Sequence, residues 1–142
     1  MCMIINRDDS SILVLDKIEK NNIKGLTFIG GHVEDGESIY ESMLREIQEE
    51  SNLKLSDLEY SGMIEWDDKD ARLLGFLYKA YIDNSMLPDI IYENREGNLA
   101  FYNLAEFKRL KKAIYMDEIL SIYEGEYKEI YINEELNIIK KY

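Results

Sequence analysis

Apolar and polar positions fall in short blocks along this chain, and the period of each block predicts its element. Residues 1–5 and 12–16 are apolar runs split by the turn-rich NRDDSS, the pattern of two hairpin strands. Residues 17–24 are polar and predict a loop, with lysines that are ordinarily solvated. GLTFI at 25–29 is rich in β-formers and runs into Gly30 and Gly31, where missing side chains permit unusual φ angles and close backbone approach. Beyond them the period changes: at about 100° per residue, Ile39, Tyr40, Met43, Leu44 and Ile47 converge on one side of a helix. Residues 57–66 and 72–82 are long runs rich in Ile, Leu, Tyr and Phe that pair as strands across WDDKDA. The stretch 84–98 holds the only proline, Pro88, and reads as a loop with a short extended piece at 90–92. Met116, Ile119, Leu120 and Tyr123 at i, i+3, i+4 and i+7 predict an amphipathic helix over 115–123, with Gly125 as its stop. Alternation over 127–132 predicts a strand and a return strand after Asn133, in preference to a terminal helix capped by Asn133.

The first helix is distinguished by where its acids fall. Glu46 and Glu50 project at the margin of the apolar side, near the direction of Ile39, and Glu49 sits just beyond them. Glu41, Arg45 and Gln48 are expected to face water. Like charges three and four positions apart repel by about 0.2–0.5 kcal/mol per pair, and more where water is partly excluded. A hard cation would reverse that sign. An ordinary acidic surface helix with a Glu41–Arg45 pair would explain Glu41, but neither the charge at the edge of the apolar stripe nor the glycines ahead of the helix.

Residues 31–53, GHVEDGESIYESMLREIQEESNL, resemble the box of the Nudix hydrolase family, GX5EX7REUXEEXGU with U aliphatic. The matching positions are Gly31, Glu37, Arg45, Glu46, Ile47, Glu49, Glu50 and Leu53. Asn52 departs from the pattern's last glycine, and asparagine is the next most tolerated residue in a left-handed helix stop. The resemblance implies an α/β (α+β) Nudix fold: an α/β/α sandwich around a central mixed β-sheet. It implies a metal shell of Glu46, Glu49 and Glu50 with a backbone carbonyl carried over to Gly30. Hard oxygen donors of this kind suit Mg²⁺ or Mn²⁺ rather than zinc. Glu37 and Arg45 are expected to hold loop and helix in register. The segment LAFYNLAEF resembles the family's strand that leads into a short helix, and a glutamate just before it often completes the site; Glu96 is the candidate and Glu93 the alternate. In His32 a structural hydrogen bond is preferred to a ligand role, and in Trp66 and Tyr78 core packing is preferred to stacking on a base.

Composition narrows the partners. The 142 residues suffice for a single domain, 1–142, with a real core. A net charge of −12 disfavours a nucleic-acid polymer or an anionic membrane surface as partner, and admits a polyphosphate only through cations. The lone cysteine, Cys2, cannot form an internal disulfide, and a single histidine leaves no zinc-type Cys and His set. MCMIINRDDS lacks the basic region and long apolar run of a signal peptide, and a cytoplasmic location is expected. A small-molecule nucleotide is the expected partner, for a monomer or a homodimer.

The chemistry implied by the resemblance is Mg²⁺-dependent hydrolysis of a nucleoside diphosphate linked to another moiety. GGHVE with GES is similar to the bacterial MutT-like 8-oxo-dGTP diphosphatase branch, which points to a (d)NTP giving nucleoside monophosphate and pyrophosphate. Hydrolysis of ADP-ribose, a nucleotide sugar or a dinucleoside polyphosphate is the alternative, and a non-catalytic nucleotide sensor is the third reading. The intact REIQEE argues against the sensor.

Overall fold

The computed structural model describes residues 1–20, 23–133 and 138–142. Its first two strands, β1 (Cys2–Asn6) and β2 (Ile12–Lys20), pair antiparallel through Ile4 with Leu13 and Ile5 with Ile12. In β1 both faces are buried, as a continuous apolar run requires of a central strand: Met3 points to one side of the sheet, Cys2 and Ile4 to the other. β3 (Ile23–Thr27) pairs antiparallel with β2. The polar stretch 17–24 is therefore mostly strand and not a loop; Asn21 and Asn22 lie outside the described residues. Pairing on both sides explains the difference, because Lys17 meets Gly25 on one edge and Gly97 on the other, and sheet context overrides weak local propensity.

Helix α1 (Ile39–Ser51) begins with a capping box. The Ser38 hydroxyl accepts from the Glu41 backbone N–H, and the Glu41 carboxylate accepts from the Ser38 N–H in return, which satisfies two otherwise unpaired donors. At the other end Asn52 takes up φ 65°, ψ 4°, the left-handed stop expected for it, and its side-chain amide donates to the Asp89 carbonyl.

β4 (Glu59–Asp68) and β5 (Ala71–Ile82) form the long antiparallel hairpin, and β5 then runs parallel to β1. Where a loop with an extended piece at 90–92 is expected, the chain makes a 3-10 helical segment, Asn84–Asp89, capped by the Asp83 carboxylate. The short strand β6 (Glu93–Asn94) follows and turns into β7 (Gly97–Tyr102). β7 leads directly into the short helix α2 (Leu104–Arg109), capped by Asn103. Helix α3 (Met116–Tyr123) buries Met116, Ile119, Leu120 and Tyr123, the residues its period selects. β8 (Glu129–Ile132) and β9 (Ile138–Lys141) form the expected closing hairpin; its connection, 134–137, lies outside the described residues.

Among the described residues these strands make one mixed sheet, ordered β6-β7-β2-β1-β5-β4-β8-β9 with β3 also on β2. One face packs α1 through Met43 and Ile47 onto Ile4, Leu13, Leu15 and Ala80. The other packs α2 and α3 through Phe107, Met116, Ile119 and Leu120 onto Met3, Val14, Ile64 and Leu77. The result is the expected α/β/α sandwich. Phe28 joins the second layer, its ring 5.3 Å from Phe107 and 5.6 Å edge-on from Tyr123. Among the described residues no helix is long and apolar enough to cross a membrane.

Candidate active site

Helix α1 sits with its apolar stripe on the sheet, so residues at the margin of that stripe are carried to the seam between helix and strands. Glu50 is carried furthest in, with 7% of its surface exposed. Its Oε2 is buried without a hydrogen-bond partner among the described residues. Burial first, then the charges of Glu46 and Glu96, push its carboxyl up to about 8, against a smaller opposing pull from Lys17 and Arg95. Leaving such a group unpaired is costly, and among the described residues no donor meets it.

Arg45 organises the opposite edge. Its Nε and Nη2 donate to Glu37 at 2.6 and 3.1 Å in a bidentate fork, and Nη1 donates to Glu46 at 2.9 Å and reaches Glu49 at 3.4 Å. Nη2 also donates to the His32 carbonyl at 3.1 Å, and the Ser42 hydroxyl donates to the same oxygen. The expectation that Arg45 and Glu41 face water holds for Glu41, which is exposed, and is corrected for Arg45. Arg45 is partly buried and turned toward the loop, and Glu41 serves the helix cap instead of pairing with it. The fork holds the Glu37 carboxyl below the usual carboxylate range and raises the Arg45 guanidinium. Replacing Arg45 by lysine, which cannot make the fork, is expected to lower the urea midpoint of unfolding. A double-mutant cycle with Glu37→Gln should show strong coupling; additive effects would mean the fork carries no stability.

Gly31 lies against the same carboxylate. A Cβ added there would stand 2.1 Å from the Glu46 Cδ and Oε1, so the position is open only to glycine while Glu46 keeps its place. Gly30 and Gly31 line the cleft beside it. His32 contributes its backbone carbonyl to the Arg45 and Ser42 contacts, and the residue is otherwise exposed.

The third wall is the turn between β6 and β7. The Asn94 amide donates to the Glu50 carbonyl at 2.6 Å, and its Oδ1 accepts from the backbone N–H groups of Glu96 and Gly97 at 2.8 and 3.1 Å. The Ile18 N–H closes the turn on the Glu96 carbonyl. Gly97, at φ +151°, passes so close to β2 that a Cβ would meet the Asp16 carbonyl oxygen at 2.1 Å. These bonds set the Glu96 side chain, 14% exposed, facing Glu50, with Lys17 at 4.0 Å and Arg95 at 3.8 Å. Glu93, the alternate, is exposed on the edge strand.

Two spaces are edged by the acids of α1, one by Glu46 and the other by Glu49 and Glu50. On one side lies an apolar cleft of about 360 Å³ that reaches from Gly31 and Glu46 to Trp66, Leu74, Phe76 and Tyr115. Trp66 and Tyr115 approach at 6.3 Å between ring centroids. Tyr78 also lines the cleft but is largely buried, packed edge-on to Tyr40 and Tyr60. On the other side a polar space of about 400 Å³ is lined by Glu49, Glu50, Asn94 and Arg95.

Residues 1–121 match the NUDIX domain family model. The chain belongs to the NUDIX domain family. This Nudix domain is 33% identical over 78 residues to a NAD-capped RNA hydrolase, NudC, of Photorhabdus laumondii, across 54% of this chain and 30% of that protein. The match thus spans about a third of the relative's length. In structure it resembles a MutT protein from Bacillus halodurans, with a TM-score of 0.71 at 19% identity over 99% of this chain and 93% of that one. It also resembles the NUDIX domain of Shewanella oneidensis NrtR, solved with ADP ribose, with a TM-score of 0.67 at 12% identity over 88% and 84% of the two chains. At these identities the structural likenesses establish the fold.

Among the described residues of this Nudix domain no three carboxylate, histidine or cysteine side chains stand in a ready-made metal cage. Arg45 binds Glu46 and reaches Glu49, and Arg95 leans on Glu49 and Glu96. The donors nonetheless fit a hard divalent cation: the orphaned Oε2 of Glu50 lies among carboxylates that repel it, and every side-chain donor is oxygen. Asn94 and Arg95 were not legible as part of the site from sequence; an Asn two and three positions ahead of Glu96 and Gly97 is the one local signal, that of an Asx turn.

Proposed function

We propose that this protein is a Mg²⁺- or Mn²⁺-dependent nucleotide pyrophosphohydrolase acting on a nucleoside triphosphate or deoxynucleoside triphosphate. The observation that carries the reading is the buried Glu50 carboxyl, whose Oε2 has no hydrogen-bond partner among the described residues, in the wall of a polar, charged space, one helical turn from Glu46 at the edge of an apolar cleft. A nucleoside triphosphate has that polarity, with a planar base at one end and phosphates at the other. Trp66, Phe76 and Tyr115 offer the base an aromatic wall. Glu46, Glu49 and Glu50, with a carbonyl from Gly30, would hold the metal, and Glu96 would complete the acid cluster. Bound there, the metal supplies neutralisation of phosphate charge and a lowered pKa for the attacking water. Arg45 and Glu37 keep the helix and the glycine loop in register.

In this reaction water adds its oxygen to phosphorus and a phosphoric anhydride P–O bond breaks, leaving a nucleoside monophosphate and pyrophosphate. The proton of the water passes to a carboxylate of the site and then to solvent. Alignment and charge neutralisation carry such a transfer, so no serine or cysteine nucleophile is needed. The similarity of GGHVEDGES to the MutT-like branch supports 8-oxo-dGTP as the first substrate to try.

A second reading, hydrolysis of a nucleoside diphosphate linked to a sugar or a second nucleoside, such as ADP-ribose or NAD, is supported by the 33% identity to the NudC relative. A panel of 8-oxo-dGTP, dGTP, ADP-ribose, NAD and a dinucleoside tetraphosphate, with and without Mg²⁺, separates the two. Pyrophosphate from a triphosphate, far above the other rates and abolished by chelation, is the expected result. Turnover of ADP-ribose or NAD alone would install the second reading, and silence across the panel would favour a sensor.

A further inference from the structure

We propose that Arg95 is a substrate-positioning residue that serves as counter-cation to the acid site without metal and transfers to the substrate's terminal phosphates once a divalent metal occupies the carboxylates. The proposal rests on the metal-dependent reading above. Among the described residues three side-chain cations face the acid edge, Arg45 on α1, Lys17 on β2 and Arg95 on the β6–β7 turn, and the Met1 ammonium, which donates to the Phe76 carbonyl, feels Glu46 and Glu50 as well. Arg45 is committed, with its N–H groups shared among Glu37, Glu46, Ser42 and the His32 carbonyl. Lys17 lies 4.0 Å from Glu96 with its side chain 22% exposed.

Arg95 differs from both. Its guanidinium straddles the mouth of the polar space, Nη2 at 3.8 Å from Glu49 and Nε at 3.8 Å from Glu96, beyond hydrogen-bond range of either, and its side chain is 83% exposed. Ion pairs this exposed contribute little to stability, so a divalent cation displaces the guanidinium readily. The backbone beneath it is the reverse of mobile. Asn94 bonds the turn to the Glu50 carbonyl, the Glu96 carbonyl is tied to Ile18, and Gly97 is wedged against Asp16. A fixed backbone thus places an exposed, five-donor cation in the lining of the polar space beside Glu49 and Glu50. Guanidinium matches phosphate oxygens in a planar fork. Glu50, which carries the buried orphan oxygen, lines the same space, the independent sign that a ligand enters there.

The proposal makes two equilibrium effects move in opposite directions. Arg95→Ala should bind Mn²⁺ more tightly, by about threefold, because a competing charge is gone. With Mn²⁺ saturating, it should bind inorganic pyrophosphate about tenfold more weakly, because a charge-assisted contact is lost. Arg95→Lys should recover the Mn²⁺ affinity of the wild type and only part of the pyrophosphate affinity. Lys69→Ala, on the far β4–β5 turn, should change neither. Calorimetric titration of Mn²⁺ and then of pyrophosphate reads both effects without turnover. Weaker Mn²⁺ binding in Arg95→Ala, or unchanged pyrophosphate binding, overturns the proposal while leaving the metal site standing. Absence of Mn²⁺ binding in the wild type overturns both.

Discussion

Glu50→Gln is expected to lower metal-dependent turnover by about 10³-fold, the loss of several kcal/mol of charge stabilisation at a metal site, while the fold stays intact. Glutamine keeps the shape of the side chain and removes its charge, and Glu50 is the most buried carboxylate of the cluster. Steady-state rates at saturating Mg²⁺ measure the effect, and wild-type activity in the variant would remove Glu50 from the site. Stability supplies a second readout with a definite sign. The Glu50 carboxyl is raised from the ordinary glutamate range to about 8, by burial first and by Glu46 and Glu96 next. The folded protein therefore holds this proton where the unfolded chain has released it. That contribution is fully present below about 4.5 and is lost as the pH rises through about 8. Without metal, the melting temperature of the wild type relative to Glu50→Gln should fall as the pH rises from the lower value to the upper. Mg²⁺ at alkaline pH should restore the wild type and leave the variant unmoved. Parallel melting profiles for the two proteins would show that Glu50 is not the strained group.

Gly31→Ala is expected to separate function from folding. Its new methyl group would meet the Glu46 carboxylate, at 2.1 Å from Cδ, and that carboxylate is the free end of a flexible side chain. Glu46 can swing aside, so the fold should lose no more than about 1 kcal/mol, an ordinary cost for a single substitution. In swinging it leaves both the cleft edge and its 2.9 Å bond to Arg45. Misplacing a reacting group by about 1 Å can cost about 10²-fold in rate, and a loss of at least that size is expected in kcat. Mn²⁺ affinity should weaken in parallel. A variant with normal kcat, or one that unfolds, would show that Gly31 serves the backbone and not Glu46.

Much of this site is written in local sequence because much of it is local geometry. The spacing of Glu46, Glu49 and Glu50 puts them on one edge of α1 whatever the rest of the chain does. The capping box at Ser38 and the left-handed Asn52 are likewise set by residues within a few positions of one another. The strands of 1–5, 12–16, 57–66 and 72–82 were readable for the same reason, since burial on a sheet imposes a period that short windows reveal. The direction of Arg45 was not readable. A helix wheel assigns it to water, but the glycine loop folds over the helix and supplies Glu37 and the His32 carbonyl on that side.

The resemblance of residues 31–53 to the Nudix box carries the family and its sandwich in the sequence alone, and hydrophobic period with i, i+3, i+4 spacing tells which glutamates share a helix edge, because both act over a single turn. Only the tertiary structure decided that Lys17 belongs to a strand, that Glu96 rather than Glu93 meets Glu50, that Arg95 stands at the mouth, and that Trp66, Phe76 and Tyr115 form one wall. Those contacts join segments far apart in the chain. They follow from strand register and from the bonds of one asparagine, Asn94, and neither leaves a periodic trace in the residues it brings together.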